Sequence, residues 1–415
     1  MEKEAGVIFY VSTQGNDAWT GKLAEAKGDR SDGPFATLQK ARDAVRGLKE
    51  KESGLTIPVT VIIRGGTYFL SKTLALSDKD SGTRECPVTW QAYPGETPIL
   101  SGGQVISNWK PYKGDIQQAD CPAALIKQAP VRQLFYRGQR QRRSRWPKYD
   151  PENPIRGGWA FPEGPVEEYP MQAFRFKADA FPRKWAKPQE GEVKIYAGFV
   201  GWSANLIPLR SIDYEEQIVW LAHRPLEIDY PPWFMQYTLN ENSRYIVENI
   251  LEELSEPGEW CCDTGEGKLY FWPPEEGIGD GDVILPALDC LIDLRDTEWI
   301  TLRGLTFSHT TTGDETHRNR EDGLGAMFPQ QGWKYCGEAL HMRGTTFCAI
   351  QDCYFDQVGG NAIYIERSNL RNTIQNNEIA YAGANGIVLV GDRAFHPLFN
   401  QVVDNHIHHA GRILN

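Results

Sequence analysis

The sequence predicts an all-β fold, a parallel β-solenoid that carries an N-terminal capping helix and an inserted, mostly β domain. The main observation is a repeat: residues 355–363 match residues 379–387 at a step of 24 residues, and the pattern begins again at Ile407. Short β-branched runs separated by Gly and Asn at such a period are typical of stacked β coils. The 40 Gly and 26 Pro also favour turns over long helices. One coil cannot bury its own apolar side, so the repeat predicts a core shared by all coils.

Residues 1–107 are predicted to form the N-terminal cap and the first coils. Apolar runs at 7–12 and 59–63 suit strands. Between them, Thr37 is placed to cap a helix, since apolar residues recur at helical spacing through Leu48. A first coil without a cover would expose its core, so this helix is expected to cap the solenoid.

The repeat stops in residues 108–282, which we interpret as an inserted β-rich domain. Trp and Pro are dense here, and residues 193–196 are one of several strand-like runs. Residues 260–263 and 269–272 flank a Thr-Gly-Glu-Gly turn and predict a β-hairpin. Residues 245–254 are expected to form a short helix. An irregular linker of this length would be unusual in a compact domain.

The repeat resumes in residues 283–415, where the alignment of coils predicts which side chains point inward. Strand side chains alternate between the two faces of a sheet. The predicted inward positions stack as Ile292, Leu340, Ile363 and Ile387, then Leu294, Met342, Ile365 and Leu389. The predicted outward positions stack as Asp293, His341, Tyr364 and Val388, then Arg295, Arg343, Glu366 and Val390. We expect this outward face to be exposed, so that an extended polymer can lie along it.

Two carboxylates near this face, Glu366 and Asp392, are the candidate catalytic residues. Glu366 lies beside Arg343 of the preceding coil, which fits either a cross-strand ion pair or a catalytic or substrate-binding carboxylate. Asp392 follows Gly391 where the coil lengthens, which fits either a catalytic residue or an Asp-initiated turn. The candidate substrate-binding residues are His341, Arg343, Tyr364, Arg393, His408 and His409.

A long segment between His309 and Cys336 leaves the repeat and is rich in charge. Solenoid insertions often lie on the binding face, but a solvated surface loop fits this composition equally well. The segment includes acidic, basic, histidine and tryptophan side chains: Asp314, Glu315, His317, Arg318, Arg320, Glu321, Asp322 and Trp333.

Asparagine and histidine recur near the coil corners. The asparagines expected to bond the backbone of neighbouring coils align in two pairs, Asn377 with Asn405 and Asn372 with Asn400. His406, His408 and His409 lie one and two residues apart on one strand, and they do not converge on an ion without a further ligand. The sequence therefore predicts no metal and no cofactor.

Composition narrows the range of partners. The net charge of −11 disfavours nucleic acid, whose phosphates attract a basic face. Thirteen Trp and 17 Tyr suit an oligo- or polysaccharide, because sugar rings stack on aromatic faces. No apolar run is long enough to span a membrane. The oligomeric state is left open.

The cysteines and the chain ends carry further expectations. The eight Cys lack metal spacing and are interpreted as structural thiols. The N-terminus lacks the features of a signal peptide, so the protein is expected to be either cytoplasmic or secreted with its signal removed. The repeat stops in mid-coil at Asn415, so a further coil is expected beyond it.

Several motifs resemble those of carbohydrate-active proteins. Residues 9–17, 33–38 and 41–46 look like the start of right-handed parallel β-helix members of this group. Four further motifs resemble glycoside hydrolase family 141, and more distantly the family 120 β-xylosidases: residues 145–147, 245–249, 257–260 and 391–393 with 405–409. The resemblance implies hydrolysis of plant polysaccharide glycosides, with fucosidase and xylanase activities both represented. It also implies carboxylate catalysis, with Asp392 as the best match and the second carboxylate in the next coil.

Three classes of function follow. A glycoside hydrolase would use paired carboxylates, with Glu366 or a residue past the chain end as partner of Asp392. A polysaccharide lyase or uronate epimerase on the same fold would need a base such as Arg343 or Arg393. A carbohydrate-binding solenoid without catalysis is the third class.

Overall fold

The structure, a computed structural model, describes residues 6–52, 54–128, 130–153, 157–197, 204–223, 238–312, 337–391 and 394–413. It contains two compact units. The first comprises Met1–Gln104, Pro286–Gly313 and Cys336–Ile413, and the main segment of the second is Val105–Leu285. The described α-helices are Leu38–Glu52 and Ala123–Gln128, and 3₁₀ turns occupy Asp78–Asp80, Pro188–Glu190 and Leu251–Glu253. In these ranges no helix is both long and apolar enough to cross a membrane.

Three parallel sheets build the first unit. In hydrogen-bonded order, sheet 1 contains Val7–Val11, Val59–Ile63, Val88–Ala92, Ile300–Arg303, Ala349–Gln351, Thr373–Gln375 and Gln401–Val403. Sheet 2 contains Leu74–Leu76, Ile292–Arg295, Glu338–Arg343, Asn361–Glu366 and Ile387–Val390. Sheet 3 contains Gly66–Phe69, Pro98–Ser101, Thr306–Ser308, Tyr354–Asp356, Glu378–Ala380 and His406–His408. Successive strands enter different sheets, so each turn of the chain adds one coil, and the predicted β-solenoid is confirmed.

The helix Leu38–Glu52 caps this unit as predicted. Thr37 begins it, since the Thr37 hydroxyl accepts a hydrogen bond from the backbone N–H of Lys40 at 3.1 Å. The apolar side of the helix packs against the solenoid core, where Ala41 and Val45 are fully buried. The helix therefore supplies the cover that a first coil needs.

The core of the first unit consists of stacked apolar ladders. Ile292, Leu340 and Ile363 pair in register along sheet 2, as the coil alignment predicts. In sheet 3, the rings of Phe307 and Phe355 stack with centroids 4.5 Å apart. Full burial of each such side chain contributes about 1.5–3 kcal/mol. The stack, rather than any single coil, therefore supplies the stability of this unit.

Asparagine side chains join neighbouring coils at the corners, as predicted. Asn377 accepts a hydrogen bond from the N–H of Cys353 at 2.9 Å and donates to the carbonyl of Ile350 at 3.0 Å. Asn405 accepts in turn from the N–H of Asn377 at 3.0 Å. Asn376, the preceding residue, has φ 54, in the left-handed region. Without these amides, the backbone N–H and C=O groups at the turn would be buried without hydrogen bonds.

Antiparallel pairing dominates the second unit. One sheet contains Arg142–Arg143, Glu259–Asp263, Lys268–Phe271, Ile116–Asp120 and Lys110–Lys113. Another contains Arg145–Trp146, Arg244–Glu248, Glu192–Tyr196, Ala204–Asp213, Ile218–Leu221, Ala173–Arg175 and Gly164–Pro165. Shorter strands of this unit are Phe135–Tyr136 and Gln139–Arg140. The strands Gly103–Val105 and Val283–Pro286 span the two points in the sequence where the units are divided.

Two predictions for this unit have opposite outcomes. The hairpin is confirmed, because Glu259–Asp263 pairs antiparallel with Lys268–Phe271. The helix over 245–254 is wrong, because Arg244–Glu248 is a strand. The apolar run Tyr245–Val247 pairs with the strand Glu192–Tyr196. A run this short does not distinguish a helix from a strand, and the sheet pairing decides for the strand.

Candidate active site

The candidate site lies on the outward side of sheet 2. The strands that carry it pair in parallel, which places Asp293 opposite His341 and His341 opposite Tyr364. Two residues further along, Arg343 lies opposite Glu366. The predicted register of this face is confirmed, and side chains far apart in the sequence become neighbours.

His341 joins two carboxylates from the coils on either side. Its Nδ1 lies 2.8 Å from Oδ1 of Asp293, and its Nε2 lies 3.0 Å from Oε1 of Glu366. Both distances are those of N–H···O hydrogen bonds. The imidazole ring therefore has a fixed position, and it fixes the two carboxylates in turn.

Arginines flank both ends of this row. Nε of Arg295 lies 2.7 Å from Oδ2 of Asp293, and NH1 of Arg343 lies 3.7 Å from Oε1 of Glu366. The side chain of Arg343 is 35% exposed. The row is thus Arg295, Asp293, His341, Glu366 and Arg343, with alternating charge.

The expectation of an exposed face is wrong for the centre of this row. His341 is 2% exposed and Glu366 is 3% exposed, and Tyr364 is also buried. Parallel strands lie only about 4.8 Å apart. Outward side chains that attract one another across this distance therefore shield one another from solvent. The ring of Tyr364 lies 6.2 Å from that of His341 and adds to this cover.

The pKa values in the row reflect burial and charge together. Burial alone would lower the pKa of His341, but the hydrogen bonds to Asp293 and Glu366 and the neighbouring negative charges raise it to about 9. Burial would raise the pKa of Asp293, yet the hydrogen bond and charge of His341 bring it below its ordinary value. His341 is therefore an imidazolium at neutral pH, and Asp293 is a carboxylate.

Asp293 was not assigned to the site from the sequence. Its position in the outward ladder beside His341 was the signal that could have identified it, because opposite residues in adjacent coils are in contact range. Its hydrogen bond to Nδ1 orients the ring, a common arrangement around functional histidines.

The other candidate residues lie elsewhere or outside the described part of the chain. Asp392 and Arg393 are not among the described residues, nor is the charged segment that the sequence singled out, residues 313–336. The preceding residues are described: Val390 lies opposite Glu366, and its carbonyl accepts a hydrogen bond from the N–H of Arg367 at 2.8 Å. A Cβ at Gly391 would collide with Nδ1 of His396, so this position requires glycine.

His408 and His409 belong to a different surface. His408 ends the strand His406–His408 of sheet 3, whereas Glu366 lies on sheet 2. Nδ1 of His408 lies 2.7 Å from Nδ1 of His409. These two histidines therefore form a second polar group, separate from the row around His341.

A cavity of about 460 Å³ opens within the second unit. Tyr112 and Tyr270 line it, and their rings meet edge to face at 4.7 Å. Lys187 lines it too, but this ammonium lies 2.6 Å from Asp263 and 2.8 Å from Glu266. One ammonium offsets only one of these two carboxylates, so this group keeps a net negative charge.

Comparison with known proteins places the fold and leaves the sequence family open. No family model matches the chain, and no curated protein does. A solved structure titled "Glycoside hydrolase" is similar over 98% of this chain and 74% of its own, with a TM-score of 0.76 and 22% identity. A structure of XylC with xylose and a tailspike protein, gp49 of Pseudomonas phage LKA1, align with TM-scores of 0.24 and 0.16, too low to support an argument. The chain therefore shares its fold with the first of these proteins.

Proposed function

We propose that the protein is a glycoside hydrolase acting on an oligo- or polysaccharide, and that Glu366 and Asp392 are its catalytic carboxylates. The observation that carries the proposal is the pairing of Glu366 with Val390, two residues before Asp392. Glycosidases need two carboxyl groups on either side of the scissile bond. Glu366 and Val390 pair on adjacent coils, and Asp392 follows Val390 by two residues in the sequence.

The charges around Glu366 suit the role of base or nucleophile rather than the role of acid. The imidazolium of His341 and the guanidinium of Arg343 both face its Oε1. Positive neighbours favour the ionised form of a carboxylate. Glu366 would therefore act as base or nucleophile, and Asp392 as the acid that protonates the leaving oxygen.

The remaining residues of the row have supporting roles in this proposal. Asp293 and His341 position Glu366, because each holds the next through a hydrogen bond. Arg343 is the partly exposed member beside Glu366, so it is the one that would meet the substrate.

The comparisons and motifs suggest which substrates to test. The similar structure with a TM-score of 0.76 is titled as a glycoside hydrolase. The motifs resembling family 141 extend the proposal to xylan and fucosides. The first assays should therefore use xylan, pectin and aryl-fucosides.

Release of reducing sugar by matched variants tests the proposal. Asp392→Asn and Glu366→Gln should each lower the rate by at least about 100-fold, since positioned acids and bases typically contribute 10²–10⁴-fold. Asp404→Asn, the same change at an exposed carboxylate of another corner, should leave the rate unchanged. Full activity of the Asp392 variant would remove that residue from the mechanism.

The same assay separates the alternatives. Products that absorb as unsaturated uronates would identify a lyase. Binding of these polysaccharides without turnover by the unmodified chain would instead identify a carbohydrate-binding solenoid.

A further inference from the structure

A second cluster of potential ligands lies on the outward side of sheet 3. The strand His406–His408 pairs in parallel with Glu378–Ala380, and this register places Glu378 opposite His406. His408 follows two residues later and therefore points to the same face. The neighbouring coil thus provides the further ligand that three closely spaced histidines lack.

The distances suit a small cation. One ligand atom from each of Glu378, His406 and His408 lies within 4.8 Å of the others. Nε2 of His408 is 3.4 Å from Oε1 of Glu378, and the two histidine rings are 4.6 Å apart. Ligands about 2.0–2.2 Å from a tetrahedral zinc ion lie about 3.3–3.6 Å from one another, so small side-chain rotations suffice.

Because the ligand side chains are exposed, they can rotate at little cost in free energy. The side chain of Glu378 is 53% exposed and that of His408 is 25% exposed. The backbone is held by the sheet, so only the side chains need to move.

His409 provides an outer partner. Its Nδ1 lies 2.7 Å from Nδ1 of His408, and one of the two nitrogens must carry the shared proton. A proton on Nδ1 of His408 leaves its Nε2 lone pair directed at Glu378, the usual arrangement around a metal-bound histidine. The ring of Tyr381 stacks on His409 at 4.8 Å and holds it in place.

We propose that Glu378, His406 and His408 bind a divalent transition-metal ion of the zinc class, with water in the remaining positions. Two imidazoles and one carboxylate are a ligand set that such ions prefer. The ion joins two adjacent coils and is independent of the carboxylate row on sheet 2.

Metal titration of the 415-residue chain without an affinity tag tests the site. Zn²⁺, in competition with a chromogenic chelator, should bind one ion per chain at this cluster, and Co²⁺ should give the visible absorption of a low-coordinate site. His406→Ala and His408→Ala should each weaken binding by more than the 10–100-fold that loss of an outer partner typically costs. His396→Ala, beside Gly391 and outside the cluster, should bind as the unmodified chain does.

Two further variants separate the proposed site from a surface histidine pair. Glu378→Gln keeps the size of the side chain and should weaken zinc binding strongly, because it removes the only anionic ligand. His409→Ala should weaken it about 10-fold. No zinc binding by the unmodified chain, or unchanged affinity in the Glu378 variant, would overturn the proposal. Circular dichroism checks that each variant keeps its fold.

Discussion

Sheets 2 and 3 each present histidine and carboxylate side chains from adjacent coils, yet the two groups differ in burial. Around His341 the hydrogen-bonded side chains are buried, and the histidine itself is 2% exposed. Around His408 they are open, with Glu378 53% exposed. Low dielectric strengthens the interactions of a buried pair, so the side chains of the first group are held in fixed positions, as the proposed role of Glu366 requires. Solvent screens the second group, whose side chains are the ligands of the proposed metal site.

The largest expected effect comes from removing the buried imidazolium. His341→Leu leaves Asp293 and Glu366 buried without their shared cation, which should lower the free energy of unfolding by about 3–5 kcal/mol. His408→Leu, at the exposed group in metal-free buffer, should change it by no more than about 0.5 kcal/mol. Urea denaturation measures both. Equal losses in the two variants would show that burial does not separate the groups.

The pH dependence of stability should follow from the raised pKa of His341. The folded state holds this proton more tightly, with a pKa of about 9 against 6.5 for an ordinary histidine. The stabilisation, on the order of 3 kcal/mol, is complete below the unfolded value and is lost as the pH rises through about 9. Urea denaturation from about pH 6 to about pH 10 should show this loss relative to the His341→Leu variant. A pH-independent difference would contradict the assignment.

Arg343→Ala should have a much smaller effect than His341→Leu. Its contact with Glu366 is 3.7 Å long and its side chain is 35% exposed, so solvent screens the pair. A loss of about 0.5–1 kcal/mol is expected in the free energy of unfolding, measured by thermal denaturation. Arg295→Ala, at the opposite end of the row, is the matched control for a terminal guanidinium. A loss as large as that of His341→Leu would place Arg343 inside the buried network.

Sequence periodicity predicted the register of both sheets because side chains alternate with a period of two and coils recur at a nearly constant step. That is why Asp293, His341 and Glu366 could be aligned before their contacts were known. Alternation separates inward from outward positions, but it does not report how outward side chains cover one another. The burial of His341 was missed for this reason.

The same limit explains the other misses. The repeat aligns Glu378 with His406, and alternation places His408 on the same face, but neither pattern reports that these side chains stay exposed. The run Tyr245–Val247 is too short to distinguish a helix from a strand, and its partner strand decided the outcome.

The asparagine ladder has a consequence for how such a chain can evolve. Asn372 bonds Cys348, 24 residues earlier, and Asn400, 28 residues later. The connection changes length between the two steps while the corner contact is kept. Ser101 and Thr306–Ser308 likewise remain neighbours in sheet 3 although a whole unit lies between them in the sequence. Corners of this kind can therefore tolerate insertions and deletions of loops or domains, because the coils that follow keep their register.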